Sequence, residues 1–214
     1  MKLHYESGFM QALTRLANLL ILNVCFLAGC LPVITIGASL SAAFSVSLDL
    51  AAGRQAGILK AFWKSWQSSL KNGILLELLL LPAAWCLWLN WQIAFNLPDP
   101  PLAASLCLWT GLVLLVLHTL YAFALEGRYK NTLWRQLINS RKICQRFFLR
   151  TLLLLAVLFL LYMLFFRTSA LLTYIGFFVG PALAVYTASS IILPVFRKLE
   201  QDGRATDGFS ITGN

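Results

Sequence analysis

The hydrophobic positions of the chain fall in long runs. From Leu16 to Ala52 the only charge is Asp49, and a Pro/Gly breaker, Leu31-Pro32-Val33-Ile34-Thr35-Ile36-Gly37, interrupts the run at its middle. About 20 apolar residues cross a bilayer core of about 30 Å, whereas a straight helix over this whole run would reach about 55 Å. The run therefore predicts two membrane helices, approximately 16–35 and 36–52, joined by a turn at Pro32 to Gly37. Four further runs predict spans at approximately 74–95, 102–125, 151–166 and 168–196. The third span holds Glu77 and the fourth His118, and the last two carry no charge. The expected fold is all-α: one membrane domain over residues 1–214, a polytopic transmembrane bundle of about six membrane helices.

Two connecting segments have a different period. Ile58, Leu59, Phe62, Trp63, Trp66 and Leu70 share one helical face, opposite Lys60, Lys64, Gln67 and Lys71. Further on, Leu133, Leu137, Cys144 and Phe148, flanked by Trp134 and Phe147, oppose Arg135, Lys142 and Arg146. Both patterns predict amphipathic helices, approximately 58–71 and 130–148, on the cytoplasmic side. Two placements fit them. One is the headgroup region of the lipid bilayer, where aromatics and bases are favoured. The other is a helix laid in a groove of a partner protein.

Composition agrees with a membrane protein and supplies an orientation. The chain is 59% hydrophobic and 12% charged, about half the charged fraction of ordinary soluble domains. Met1 to Thr14 lacks the apolar core and cleavage site of a signal peptide, so the first span is expected to persist. Lys and Arg favour cytoplasmic loops. Six spans with the N-terminus inside place every basic residue but Arg167 on the cytoplasmic side, with both termini there. A five-span alternative, in which the first run crosses once and the N-terminus lies outside, separates the charges less cleanly. The net charge of +9 is thus an orientation signal and an attraction to anionic lipid, with no nucleic acid partner implied.

Polar groups inside spans are the candidate functional residues. Asp49 and Glu77 lie near one membrane face, where interfacial ion pairing is expected, Glu77 with Lys71, Lys64 or Arg54; a proton-relay or transport role is the alternative. His118 is expected to make a hydrogen bond facing the bundle. Asn23 and Thr35 can bond across to neighbouring helices. Gly37, Ser41 and Ser45, with Ala38 and Ala42, form a small-residue ridge, as do Gly176, Gly180, Ala184 and Ala188. Such ridges let helices approach closely. The five cysteines form no C-x-x-C pair and are expected to pack as small hydrophobes. No catalytic motif, metal site or cofactor fingerprint is present, so no enzyme, cofactor or metal is expected.

Three segments resemble the YesL-type family of bacterial integral membrane proteins, whose biochemical function is undefined. They are Leu22-Asn23 with Leu31-Pro32-Val33-Ile34-Thr35-Ile36-Gly37-Ala38-Ser39; Phe62-Trp63-Lys64-Ser65-Trp66 with Lys71-Asn72; and Tyr121-Ala122-Phe123 through Arg128 and Asn131-Thr132-Leu133 to Asn139. The resemblance covers most of the chain and is most specific at the Leu-Pro-Val-x-Thr-x-Gly-Ala segment. It implies a multi-pass protein of the cytoplasmic membrane of Gram-positive-type bacteria. It also implies an accessory link to carbohydrate uptake, because such genes tend to lie beside sugar-importer genes. The expected function is a non-enzymatic accessory component, with ABC-importer permease subunits or a second copy of the chain as partner. A small stand-alone transporter or channel is the alternative and a membrane enzyme the third.

Overall fold

The computed structural model describes residues 8–54, 57–96, 102–129, 132–167 and 169–205. Five sequence expectations lie wholly or partly outside them: the segment before Gly8, the turn at 97–101, the start of the second amphipathic helix at 130–131, the start of the last span at Thr168, and the C-terminal end after Ala205. Among the described residues there are seven α-helices and one 3₁₀ turn, and no strand. The helices are α1 (Gly8–Gly29), α2 (Ile36–Ala51), α3 (Ile58–Asn96), α4 (Leu102–Arg128), α5 (Leu133–Arg146), α6 (Phe148–Phe166) and α7 (Ala170–Ala205), with the 3₁₀ turn at Val33–Thr35 between α1 and α2. Stretches of α2, α3, α4, α6 and α7 are long and apolar enough to cross a membrane, and Leu13–Gly29 is a shorter apolar helix.

The bundle is organised around α2. It packs most extensively on α3 and also touches α1, α4 and α7. Gly37, Ala38, Ser41 and Ala42 are all buried, and their small size permits the approach. A Cβ on Gly37 would lie 2.4 Å from the carbonyl oxygen of Gly73, and one on Gly73 would lie 2.7 Å from the Ala38 Cα. On the other flank, a Cβ on Gly127 of α4 would meet Ser41 O at 2.5 Å. Backbone-to-backbone contact at these distances excludes any larger residue. The ridge expected on the last span is met in part: Gly176 lies against Phe165 of α6 and Ala188 is buried. Gly180 faces open space, and the buried stripe of α7 runs through Ala182, Val185, Ala188, Ser189 and Ile192.

The amphipathic segment at 58–71 and the apolar segment at 74–95 form one continuous helix, contrary to the separate elements expected. The reason is local: Lys71-Asn72-Gly73 contains no proline, and Gly73 is held in helical conformation by its contact with α2. Pro82 lies within the helix. The apolar face of 58–71 turns onto this chain's own helices, with Ile58, Phe62 and Ser69 buried and Trp66 half-buried, while Leu59 and Trp63 remain exposed. In α5 the inward stripe is Gln136, Ser140, Ile143 and Cys144. The expected Leu133 and Leu137 are half-buried against the core and Cys144 is buried, so the inward face is the expected one widened by Gln136, whose amide donates to the buried Glu126 of α4. Phe148 is exposed and opens α6.

Burial is uneven along the bundle. The large fully buried side chains, Phe44, Phe62, Tyr121, Ile143, Phe196 and Leu199 among them, gather around α2. Beyond Leu78 on α3, before Leu117 on α4 and along α6, most large apolar side chains are exposed. In a soluble protein such a surface would be untenable; in a bilayer it is the lipid-facing wall.

Candidate functional site at the helix break

The break between α1 and α2 begins at Cys30, whose N–H donates to Phe26 O at 3.0 Å. Pro32 cannot donate a backbone hydrogen bond and cannot continue the ladder. Thr35 closes the turn: its hydroxyl is shared between the carbonyls of Gly29 and Pro32, both at 2.8 Å. α2 then starts at Ile36, so Gly37, expected in the turn, belongs to the first helical turn. Its missing side chain serves the crossing with Gly73.

Glu77 occupies the start of α2. Gly37 N–H donates to its Oε2 at 2.9 Å. This corrects the expected ion pairs with Lys71, Lys64 or Arg54: the carboxylate caps a helix N-terminus, where orphan amides and the helix dipole favour an anion. Ser39 donates to Thr35 O at 2.9 Å, and Trp66 Nε1 donates to Ser39 Oγ at 3.1 Å. Thr35, Gly37, Glu77 and Trp66 are thereby joined around one turn. Beside them a crevice of about 210 Å³ opens between α2, α3 and α4, walled by Leu40, Leu80, Leu81, Leu115 and Phe123, with Glu77 and Thr119 as its polar groups. Its walls are almost wholly apolar, so it suits an apolar chain or ring.

Asn23 is separate from this cluster. Its Nδ2 donates to Phe178 O at 2.5 Å and its Oδ1 accepts from Ala182 N–H at 3.0 Å. Those groups are one turn apart on α7, around Pro181, which lacks the N–H of a regular ladder. The side chain is buried, so the amide clamps α1 to α7 by bridging the backbone groups of Phe178 and Ala182. Asp49 pairs with Arg54 at 3.0 Å in an exposed bridge, worth little on its own. His118 Nδ1 contacts Leu114 O of its own helix at 2.7 Å, so its bond is local and does not cross the bundle. Lys60, Lys64 and Lys71 are exposed along α3, as are Trp134, Arg135, Lys142 and Arg146 on α5, and Trp134 is 73% exposed.

Three polar contacts were not anticipated from sequence. Glu126 is fully buried and accepts from Gln136 Nε2. Tyr121 OH and Thr151 Oγ1 meet at 3.0 Å, tying α4 to α6. Arg128 donates to Glu200 Oε1 through Nε at 3.1 Å and Nη2 at 2.9 Å, and the Tyr129 hydroxyl donates to the same oxygen. Burial, and then the Glu200 carboxylate, hold the Tyr129 phenol well above its ordinary range. A signal for Glu126 was present: it precedes Gly127 and Arg128 at the end of an unbroken apolar run, and an acid there needs a partner.

Residues 19–91 match the family described as "Protein of unknown function, DUF624". The match contains α2, the break and Glu77, and ends within α3. No curated protein and no solved structure matches the chain.

Proposed function

We propose that the protein is a non-enzymatic accessory component of the bacterial cell membrane, linked to carbohydrate uptake through an ABC-type importer. The carrying observation is how the centre of the bundle is filled. α2 meets α3 and α4 backbone to backbone at Gly37, Gly73 and Gly127, which suits a rigid scaffold. The crevice beside Glu77 lies at the side of this packing, where it suits holding an apolar group in place. The resemblance of the Leu31–Ser39 segment to the YesL-type family supports the carbohydrate link by association. The test is purification from the native membrane in mild detergent with identification of partners. Importer permease subunits should co-purify; recovery of the chain alone would count against the proposal.

One observation favours a second reading, a small transporter. A helix that begins beside a break, with a carboxylate at its N-terminus, resembles the discontinuous helices that build transporter ion sites. Substrate flux into reconstituted vesicles that is lost in Glu77→Gln would support it. Absence of flux, or flux that survives both Glu77→Gln and Asp49→Asn, would remove these carboxylates from any transport mechanism.

A further inference from the structure

The helix registers locate the bilayer. α3 crosses α2 at Gly73 and Gly37 and packs against α4 through Trp91 and Trp109, whose rings lie 5.0 Å apart. Lys71 to Trp91 spans about 30 Å of helix, the thickness of a hydrocarbon core. Tryptophan is favoured at either border of that slab and lysine at the cytoplasmic one. α6 agrees: Arg150 and Arg167 lie about 26 Å apart. Beyond Lys71, toward Ile58, the outward positions of α3 are Gln67, Lys64 and Lys60, all exposed. No such face fits in hydrocarbon. α2 lies alongside this stretch, so it belongs outside the slab, and its apolar surface is covered by protein.

The direction of α1 follows from the same registers. Phe196 of α7 packs on Tyr129 with ring centroids 5.7 Å apart, next to the place where Gly127 meets Ser41 and Ser45. Ala182, which bonds Asn23, is about 21 Å further along α7 toward the lipid-facing half. α1 then ends at Gly29 beside Ser39. α1 therefore descends toward α2 and continues its direction. The first apolar run crosses once, and Arg15 stands at the opposite end of the bundle from Lys60. This geometry fits the five-span arrangement, in which the first run crosses once, better than a hairpin.

We infer that the α2 end is a membrane-proximal cap and that Lys71 and Arg150 seat it on anionic phospholipid headgroups. Of the basic side chains described, Arg15 and Arg167 stand at the far end, and the others surround the cap. Lys71 and Arg150 are exposed at nearly the same level, since Gly73 is level with Gly37, Gly37 touches Phe123, and neighbouring Tyr121 bonds Thr151. Below them the cap is basic and above them the surface is continuous with lipid, the arrangement that attracts anionic headgroups. This inference stands apart from any link to carbohydrate uptake.

The test reconstitutes the full chain in phosphatidylcholine vesicles and measures the relative association of spin-labelled phosphatidylglycerol and phosphatidylcholine. The wild type should prefer phosphatidylglycerol several-fold at low salt. The preference should shrink at high salt and approach unity in Lys71→Gln/Arg150→Gln, whose exposed positions leave the fold intact by thermal melting. No preference in the wild type, or an undiminished preference in the double variant, would overturn the proposal. So would loss of a co-purifying protein from the variant with its lipid preference intact, which would assign this face to a protein partner.

Discussion

α2 and α6 are apolar helices of similar length with opposite surroundings. α2, IGASLSAAFSVSLDLA, is enclosed by α1, α3, α4 and α7. α6, FLRTLLLLAVLFLLYMLFF, exposes Phe148, Leu149, Leu152, Leu153, Phe159 and Leu160. Hydropathy ranks both as membrane-spanning. Side-chain size separates them. Helix backbones touch where residues are Gly, Ala and Ser, while Leu and Phe suit contact with lipid chains. Apolarity shows that a helix avoids water; the small residues show that it is enclosed by protein.

The largest test of this contrast is steric. Gly37→Leu must displace the Gly73 backbone, and the expected loss is about 3 kcal/mol or more, seen as failure to purify a monodisperse protein or a large drop in melting temperature. Leu160→Ala on α6, exchanging one lipid-facing apolar group for a smaller one, should change stability by less than about 0.5 kcal/mol. A mild Gly37→Leu would break the comparison. Within α7 the same logic applies at Gly180, where a Cβ meets nothing within 4 Å. Gly180→Ala should be neutral or stabilising by up to about 1 kcal/mol.

Polar ties should have intermediate effects. Asn23→Leu removes both bonds to α7 and should cost about 1–2 kcal/mol in denaturant titrations in detergent. Glu77→Gln keeps an acceptor for Gly37 N–H and should cost less than Glu77→Leu. Equal losses would show that the carboxylate does not cap α2.

The smallest expected effect is in alkali. Tyr129 has a phenol pKa raised in the folded state, so its contribution to stability is complete below the unfolded value of about 10 and falls as pH rises above it. The wild type should lose more stability between pH 9 and pH 11, to give approximate bounds, than Tyr129→Phe does. Parallel curves would remove Tyr129 from the alkaline response.

Much of the architecture was legible in the sequence. The apolar runs located the helices, Pro32 located the break, and Gly37, Ala38, Ser41 and Ala42 marked the buried face of α2. Three features were hidden for physical reasons. Enclosure by protein and by lipid give the same hydropathy, so hydropathy alone did not tell α2 from α6. The partners of Asn23 are backbone groups of a helix more than 150 residues away, and backbone groups have no sequence signature. The Glu126–Gln136 contact depends on how α5 folds back on α4, which set the inward face of α5. Charge counting favoured six crossings over five by only a few residues, so the path of the first run rests on which of the two the sidedness of its ends supports.

The central claim is that α1 crosses the membrane once and that α2 continues beyond it as the covered core of a cap. It is tested most directly by the sidedness of Thr14→Cys and Lys60→Cys, each introduced into a cysteine-depleted chain and probed on intact cells with a membrane-impermeant thiol reagent. The account predicts that the two positions label from opposite faces of the membrane. Labelling of both from the same face would make the first run a hairpin and would contradict it.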